Sequence, residues 1–294
     1  MTPCSRRRFL KTGLAAGALA GIGQLPLLAE RGTATDWVDL GKSGVKVTRL
    51  AFGTGTFGGR VQRNLGQEGF TSLVRHAYDR GIRFFETSES YAGMHEMLGI
   101  ALKGIPRENY RLMSKVTTGD GIDPQTKLDS LRKMANTDYF DIMLLHVQHT
   151  ATWVSETSQW QDVIVENEAK QAIKTHGASV HGLPALRQVP TAKWLEIGMI
   201  RMNHKGVHMD AEDPRTHGLG DVNEVVAHVH EAKKAGKGVI SMKLIGEGTF
   251  TNREDRQAAM RFAFRNAGVN AVTVGYKSPA EIDEAIENLN LALA

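Results

Sequence analysis

The sequence predicts an α/β fold in which eight parallel strands close into a (β/α)8 TIM barrel. Strand-like and helix-like segments alternate from residue 35 to the last residue of this 294-residue chain. The strand-like segments are mostly apolar throughout, which is typical of parallel strands covered by helices. About eight strand-helix units over residues 35–294 match the size of such a barrel, roughly 250 residues.

Each element is predicted from its periodicity, taken in chain order after a hairpin over residues 38–48. Short apolar runs predict strands over residues 50–52, 82–86, 110–116, 140–146, 178–181, 195–202, 238–243 and 271–275. Apolar positions three or four residues apart predict helices over residues 68–80, 94–103, 124–135, 162–175, 221–235, 254–266 and 279–293. His176-Gly177 is the predicted stop of the fourth of these helices.

An open, doubly wound sheet is the alternative architecture. It would bind a nucleotide through a Gly-x-Gly-x-x-Gly turn that leads directly into a helix. Residues 53–59 contain glycines at that spacing, but a loop is predicted to follow them. The barrel is therefore favoured, and the absence of a composition break or linker predicts one domain over residues 35–294.

The basic surplus of the chain is confined to its first 34 residues. The chain has 36 Lys plus Arg against 32 Asp plus Glu, a formal net charge of +4. Arg6, Arg7, Arg8, Lys11 and Arg31 against Glu30 account for all of this surplus, so the rest of the chain is formally neutral. Since it also lacks a basic run with interleaved aromatic residues, we expect no binding to nucleic acid.

Residues 1–34 have the layout of an export signal. The basic segment Ser5-Arg6-Arg7-Arg8-Phe9-Leu10-Lys11 precedes the uncharged residues 12–29, and small residues follow at Gly32 and Ala34. This order resembles the twin-arginine signal, whose export machinery moves folded proteins. We expect cleavage and a periplasmic or otherwise exported protein without stable membrane insertion. Retention of the segment would instead anchor the protein, although four Gly and a Pro weaken residues 12–29 as a membrane helix.

No metal site is expected. The one cysteine, Cys4, lies inside the predicted signal, which excludes thiolate zinc sites, iron-sulfur clusters and disulfides from the exported body. His204, His208 and Asp210 are close enough in sequence to reach one metal ion, but they lie in a predicted long loop without a helical frame.

In a barrel of this kind the chemistry lies at the C-terminal ends of the strands. The residues at these positions are Gly53, Thr54, Glu86, Tyr91, Lys115, His146, Ser179, His181, Asn203, Lys243, Tyr276, Lys277 and Ser278. A carboxylate, a phenol, an ammonium and an imidazole therefore come from three consecutive strand ends.

Five sequence segments occur in an informative order at these strand ends. They are FETSESY at residues 85–91, EMLG at 96–99, SKV at 114–116, DIMLLH at 141–146 and GAS at 177–179. Their order and placement resemble the aldo-keto reductases from about Leu40 to the C-terminus. The resemblance implies that Tyr91 donates a proton to a carbonyl oxygen while NADPH delivers hydride to the carbon. It further implies that Lys115 tunes Tyr91, that His146 orients the carbonyl and that Glu86 pairs with Lys115.

The catalytic set has a physical rationale and one departure from the family. A free Tyr has a pKa of about 10. An adjacent ammonium favours the phenolate and so eases proton release near neutral pH. Glu86 stands where the family has Asp, so an ion pair with Lys115 requires an adjusted rotamer, and a misplacement of about 1 Å is expensive in catalysis.

The cofactor contacts are expected from the same resemblance. Ser179 would hold the nicotinamide amide, although the Asn that commonly follows is Val180 here. Lys277 and Ser278 would meet a 2′-phosphate, yet an Arg often found shortly after is missing and two carboxylates, Glu281 and Asp283, stand nearby. Further expected contacts at strand ends are Gly53, Thr54, Asn203 and Lys243. NADP is the first choice of cofactor, and NAD is the alternative.

These expectations define an exported oxidoreductase that acts on a small-molecule carbonyl or a sugar-like alcohol. Because a periplasmic enzyme meets little free NADPH, we expect a nucleotide bound before export to be tightly retained. Two other classes stay open at this point. One is a barrel isomerase or lyase that uses Glu86, Lys115 and His146 without a dinucleotide, and the other is a non-catalytic binding protein on the same scaffold.

Overall fold

The computed structural model describes residues 32–213 and 219–294, and these residues form the predicted closed barrel. The hairpin consists of β1 (Trp37–Asp39) and β2 (Lys46–Thr48). The barrel strands are β3 (Leu50–Gly53), β4 (Phe84–Glu86), β5 (Arg111–Val116), β6 (Phe140–Gln148), β7 (Ile173–Val180), β8 (Ile197–Arg201), β9 (Gly238–Met242) and β10 (Ala271–Gly275). They pair in parallel in the order β10-β3-β4-β5-β6-β7-β8-β9. Most of the predicted export signal, residues 1–31, lies outside the described residues.

Helices follow most of the strands. The described helices are α1 (Arg60–Arg63), α2 (Gly66–Asp79), α3 (Met94–Leu102), α4 (Pro124–Met134), α5 (Trp153–Glu156), α6 (Ser158–Ala169), α7 (Leu183–Leu186), α8 (Val222–Lys234), α9 (Arg253–Arg261) and α10 (Pro279–Leu293). Four of them begin at a polar N-cap residue whose side chain accepts a backbone N–H three residues later: Asp123, Asp221, Asn252 and Ser278. Such caps fix where these helices start.

The barrel strands lie between two apolar layers, since nearly every residue of these strands is buried. The inner layer fills the barrel with side chains such as Phe84, Met113, Ile142 and Ile240. The outer layer lies between the strands and the helices and is much larger. Burial on both faces explains why the strand sequences are apolar throughout rather than alternating.

The N-terminal hairpin closes the end of the barrel opposite the strand C-termini. Leu40, Val45 and Val47 are buried in the inner apolar layer. The backbone N–H of Lys42 donates to the carbonyl of Gly236, just before β9 begins, at 2.9 Å. This end is therefore filled by side chains, and the opposite end is left for a site.

One predicted boundary is wrong. Residues 162–175 were predicted as a single helix, but α6 ends at Ala169 and β7 already begins at Ile173. Gln171 adopts a left-handed conformation, with φ 61°, which ends the helix well before His176-Gly177. The β-branched residues Ile173 and Thr175 then enter the sheet.

The chain enters the barrel through residues that pack against it. Ala34 is fully buried, and its N–H donates to Asn290 Oδ1 at 2.7 Å. Its carbonyl accepts the N–H of Leu50 at 2.9 Å, at the start of β3. The predicted domain boundary after residue 34 stays a prediction, but Ala34 itself belongs to the packed body. Within the described ranges, no helix combines the length and apolar character needed to cross a membrane.

His176 is held between α6 and the loop before β8. Its Nδ1 lies 2.6 Å from Glu168 Oε1, and its Nε2 lies 2.6 Å from the carbonyl oxygen of Trp194. Burial lowers the pKa of His176, but the Glu168 carboxylate and the carbonyl outweigh burial, so the pKa is raised above its ordinary value. Both ring nitrogens face acceptors, which favours the protonated imidazolium.

We predict that His176 makes folding stability pH-dependent. Its raised folded-state pKa contributes stability that is fully present below the unfolded pKa of about 6.5 and is lost as pH rises through the folded pKa. His176→Gln should lower the free energy of unfolding by about 2 kcal/mol at pH 5.5, and by less at pH 9. Urea unfolding at both pH values measures this loss in the free energy of unfolding. His230→Gln, at an exposed position on α8, is the matched control, and equal losses for His176→Gln at both pH values would contradict the assignment.

Candidate active site

A cleft of about 700 Å³ opens where the strands end. Its inner end contains Glu86 and Tyr91, and its outer end contains Lys277 and Glu281 at the start of α10. The connections after β9 and β10 supply most of the wall between these ends. The cleft thus reaches from the barrel mouth to the outer ring of helices.

Glycines line part of this cleft. A Cβ atom added at Gly275 would lie 2.1 Å from Thr56 Oγ1, and one added at Gly55 would lie 2.6 Å from the hydroxyl of Tyr91. Side chains at these positions would displace the loop after β3 and the phenol. The backbone itself therefore forms this wall, which allows the close approach of a flat or extended ligand.

The base of the inner end is a buried ion pair. Lys115 Nζ donates to Glu86 Oε1, and it also donates to the carbonyl of Thr87 at 2.9 Å. Lys115 and Glu86 are 1% and 2% exposed. Burial lowers the pKa of Lys115, whereas the adjacent Glu86 carboxylate opposes this shift.

The structure accommodates Glu86 in place of the expected Asp. Its second oxygen, Oε2, accepts a hydrogen bond of 3.2 Å from Thr273 Oγ1 on β10. A Cβ atom at Gly53 would lie 2.6 Å from this hydroxyl and 3.0 Å from Glu86 Oε2, so a glycine leaves room for the carboxylate. The longer side chain of Glu86 thus reaches both Lys115 and β10.

Tyr91 stands above this pair. Lys115 Nζ lies 4.7 Å from the centroid of the Tyr91 ring, and the ring of His146 lies 5.7 Å away at 86°. The Tyr91 hydroxyl forms no hydrogen bond with any residue that the structure describes. The predicted group is therefore brought together, with the ammonium over the face of the phenol ring and the imidazole edge-on to it.

The pKa of Tyr91 shifts in the direction opposite to our expectation. Burial raises it well above its usual value, and the carboxylates of Glu86 and Glu247 raise it further. The expected preference for phenolate was wrong because burial, the largest effect, and the two carboxylates all disfavour a negative charge on the phenol oxygen. Tyr91 therefore stays a neutral phenol at neutral pH.

His146 is oriented through one ring nitrogen. Its Nδ1 lies 2.9 Å from Ser88 Oγ and 3.1 Å from Ser90 Oγ. Burial and the nearby Lys115 ammonium lower the pKa of His146 to about 2, so the ring is neutral at neutral pH. A serine hydroxyl that donates to Nδ1 leaves the proton on Nε2, which can then donate to a ligand.

The remaining predicted residues divide by location. Gly53, Lys243 and Lys277 line the cleft with Glu86 and Tyr91. Lys243 is not a bare cation, since its Nζ lies 2.7 Å from Glu247 Oε2.

The other four predicted contacts have structural neighbours of their own. Thr54 is fully buried, and its hydroxyl has no hydrogen-bond partner among the described residues. Ser179 Oγ accepts the N–H of Val147 at 3.0 Å, which leaves its proton available. Asn203 holds its own loop by donating to the carbonyl of Val207 at 2.6 Å, and Ser278 caps α10.

The loop histidines are not brought to one metal position with Asp210. His204 Nε2 lies 3.5 Å from Asp255 Oδ1. Asp210 Oδ1 instead accepts Arg201 Nε at 2.7 Å and the N–H of Gly182 at 2.7 Å. Asp210 therefore ties its loop to the ends of β7 and β8.

Four site residues were missed by sequence reasoning. Ser88 and Ser90 lie inside the FETSESY segment, and their position beside Tyr91 was a usable signal. Thr273 precedes the last residue of β10 by two, so it faces the same side of the strand as Gly275. Glu247 carried no signal, because it reaches the site through a left-handed turn with φ 53°.

We predict that the buried ion pair makes the site intolerant of charge removal. Glu86→Gln would leave the Lys115 ammonium buried without a counter-charge, which costs about 3–5 kcal/mol. Chemical unfolding of the purified protein measures this loss. Asp39→Asn is the control, since the ion pair of Asp39 with Lys46 is exposed and contributes less than about 1 kcal/mol. Similar small losses in both variants would contradict a role for the pair in stability.

The chain is similar in sequence to known proteins. A relative from Glycine max named "Probable aldo-keto reductase 1" is 27% identical over 147 residues, which cover 45% of this chain and 42% of the relative. The chain thus aligns with less than half of that protein. L-galactose dehydrogenase from Arabidopsis thaliana is 25% identical over 281 residues, which cover 84% of this chain and 86% of the relative.

The chain is also similar to solved structures and matches two sequence-family models. An aldo-keto reductase from Klebsiella pneumoniae in complex with NADPH has the same fold, with a TM-score of 0.66, 16% identity, and coverage of 90% of this chain and 92% of that one. Residues 3–23 match the model of the twin-arginine translocation pathway signal sequence. Residues 49–290 match the model of the Aldo/keto reductase family. The chain therefore belongs to the aldo/keto reductase family and carries a twin-arginine signal sequence.

Proposed function

We propose that this protein is an exported oxidoreductase that transfers hydride between a nicotinamide dinucleotide and a carbonyl or sugar-like alcohol. One observation carries the proposal. The Tyr91 hydroxyl, which forms no hydrogen bond with the described residues, lies at the inner end of the cleft. It is beside the Lys115–Glu86 pair and the neutral imidazole of His146. Family membership supports the same reaction class.

Each side chain has a distinct task in this proposal. Tyr91 holds a proton on its phenol oxygen and gives it to the carbonyl oxygen of the substrate during reduction. His146, neutral and fixed at Nδ1 by serine hydroxyls, donates from Nε2 to the same oxygen and orients it. Lys115 stabilises the negative charge that remains on Tyr91 after proton transfer, and Glu86 fixes Lys115. A bound nicotinamide dinucleotide supplies or accepts the hydride.

The cleft fits a dinucleotide. Its volume of about 700 Å³ lies within the usual range for ligand sites, roughly 300–1,000 Å³. The backbone wall at Gly55 and Gly275 suits an extended ligand, and Thr54, between the lining residues Gly53 and Gly55, has a hydroxyl without a partner among the described residues. NADP is the first choice from the sequence, and a structural neighbour binds NADPH, while NAD stays open.

The substrate class and location are part of the proposal. L-galactose dehydrogenase is a relative that aligns over most of this chain, which supports a sugar-like alcohol or its carbonyl product as substrate. The signal match over residues 3–23 supports export by the twin-arginine machinery, with a signal over residues 1–34 and a barrel over residues 35–294. The exported protein would be periplasmic, or membrane-anchored if the signal is retained. We further propose that the nucleotide is bound before export and is tightly retained afterwards.

We predict saturable binding of NADPH or NADH to the purified protein. Nicotinamide fluorescence should change on titration because the ring enters the buried inner end of the cleft beside Tyr91. Bound nucleotide that persists through purification would appear in native mass spectrometry. Binding separates the proposed oxidoreductase from an isomerase or lyase that uses the same polar groups, and from a non-catalytic binding protein without a dinucleotide. Titrations with both nucleotides that show no change would reject the proposal.

We predict that Tyr91→Phe lowers turnover by about 10²- to 10⁴-fold, the usual contribution of general acid catalysis. Nucleotide binding should be retained, because the ring and its packing are unchanged. Tyr78→Phe is the control, since Tyr78 lies on α2 and stacks with Arg83 away from the cleft. Carbonyl reduction followed by absorbance of the reduced nucleotide measures both variants. Unchanged turnover in Tyr91→Phe would remove Tyr91 from the acid role.

A further inference from the structure

The outer end of the cleft determines which nicotinamide dinucleotide fits. If the nicotinamide lies beside Tyr91, as the proposed reaction requires, the adenosine half would extend toward Lys277 and Glu281, which line the other end of the cleft. NADP differs from NAD by one phosphate on the adenosine ribose, which carries about two negative charges. The charges at this outer end therefore bear directly on cofactor choice.

Arg256 lines the outer end, and four of its five N–H donors are used within the protein. Its Nε lies 2.6 Å from Glu284 Oε1, and its Nη2 lies 2.8 Å from Glu284 Oε2. Its Nη1 donates to the carbonyls of Phe250 at 3.1 Å and Thr251 at 2.7 Å. A bidentate pair with a carboxylate is a strong arrangement, so this guanidinium is not free for a phosphate.

Lys277 is compensated by Glu281. Lys277 Nζ lies 3.6 Å from Glu281 Oε1. Glu281 Oε2 also accepts the backbone N–H of Lys277 at 2.9 Å, directly before the N-cap residue Ser278. The carboxylate thus lies beside the Lys277 ammonium and accepts from a backbone N–H. These are the two kinds of group that an anion uses at such a position.

The charges at the outer end therefore cancel. Among the cleft-lining residues described there, the cations Arg256 and Lys277 are matched by the carboxylates of Glu284 and Glu281. A phosphate would have to displace Glu281 or lie beside it. A free ribose hydroxyl instead donates a hydrogen bond to a carboxylate, as in dinucleotide sites that select NAD.

We propose that Glu281 is a specificity-determining residue that weakens binding of the 2′-phosphate of NADP(H), so that NAD(H) binds at least as tightly. The inference rests on the proposed function, because it needs the nicotinamide at Tyr91. On this proposal, the choice between NAD and NADP depends on a carboxylate of α10 and not only on Lys277 and Ser278.

Fluorescence titration of the purified protein with NADH and with NADPH tests the proposal. The wild-type protein should bind NADH with a dissociation constant equal to or below that for NADPH. Glu281→Gln should tighten NADPH binding about tenfold while NADH binding stays the same or weakens. Glu287→Gln is the matched control, because Glu287 lies on the same helix, carries the same charge and pairs with Arg253 rather than lining the cleft. It should change neither constant.

A displacement experiment needs no variant. Adenosine 5′-phosphate should displace bound NADH at least as well as adenosine 2′,5′-bisphosphate. Tenfold tighter NADPH binding by the wild type, a better displacement by the bisphosphate, or equal effects of Glu281→Gln on both nucleotides would overturn the role of Glu281 and leave the proposed function intact. Failure of both nucleotides to bind would overturn the two proposals together.

Discussion

The buried ion pair between Lys115 and Glu86 is the constraint on which the candidate site depends. Two charges taken out of water are tolerated only with good geometry and with their remaining hydrogen-bonding groups satisfied. Three strands meet these demands here, since β4 carries Glu86, β5 carries Lys115, and β10 supplies Thr273. The glycine at position 53 leaves the carboxylate its space. A change in the register of β4 or β5 would separate the charges, and a change in the register of β10 would remove the Thr273 hydroxyl from Glu86, so the site requires all three strands.

The two ends of the barrel differ in how their polar groups are satisfied. The hairpin end is filled with apolar side chains and closed by backbone hydrogen bonds. The opposite end contains hydroxyl and imidazole groups without a partner among the described residues, such as Thr54 Oγ1 and His181 Nε2. A buried polar group without a partner costs about 1–3 kcal/mol. This cost falls mainly at the end of the barrel with the candidate site, although Arg49 Nε, just before β3, also has no partner among the described residues.

The sequence predicted the strand ends well because a parallel barrel brings all of them to one face, whatever their separation along the chain. For this reason Tyr91, Lys115 and His146, predicted at three strand ends, lie close together. The boundary between α6 and β7 was missed because it depends on one left-handed residue, Gln171, that is not glycine. The pKa of Tyr91 was misjudged for a related reason. Its direction depends mainly on how deeply the phenol is buried, and spacing along the chain does not contain that information.

Neutral side chains give the site an unusual electrostatic character. Tyr91 has its pKa raised well above the ordinary value, and His146 has its pKa lowered to about 2, in both cases mainly by burial. Neither group changes its protonation near neutral pH, and Lys115 is matched by Glu86. In the proposed reaction, the charge that develops on a substrate oxygen would therefore meet hydrogen-bond donors already in place. Preorganised donors in a dry site stabilise such charge more than water does, because they need no reorientation during the reaction. Burial thus keeps the proton on Tyr91, as the proposed acid role requires, while the raised pKa also makes this phenol a weaker acid.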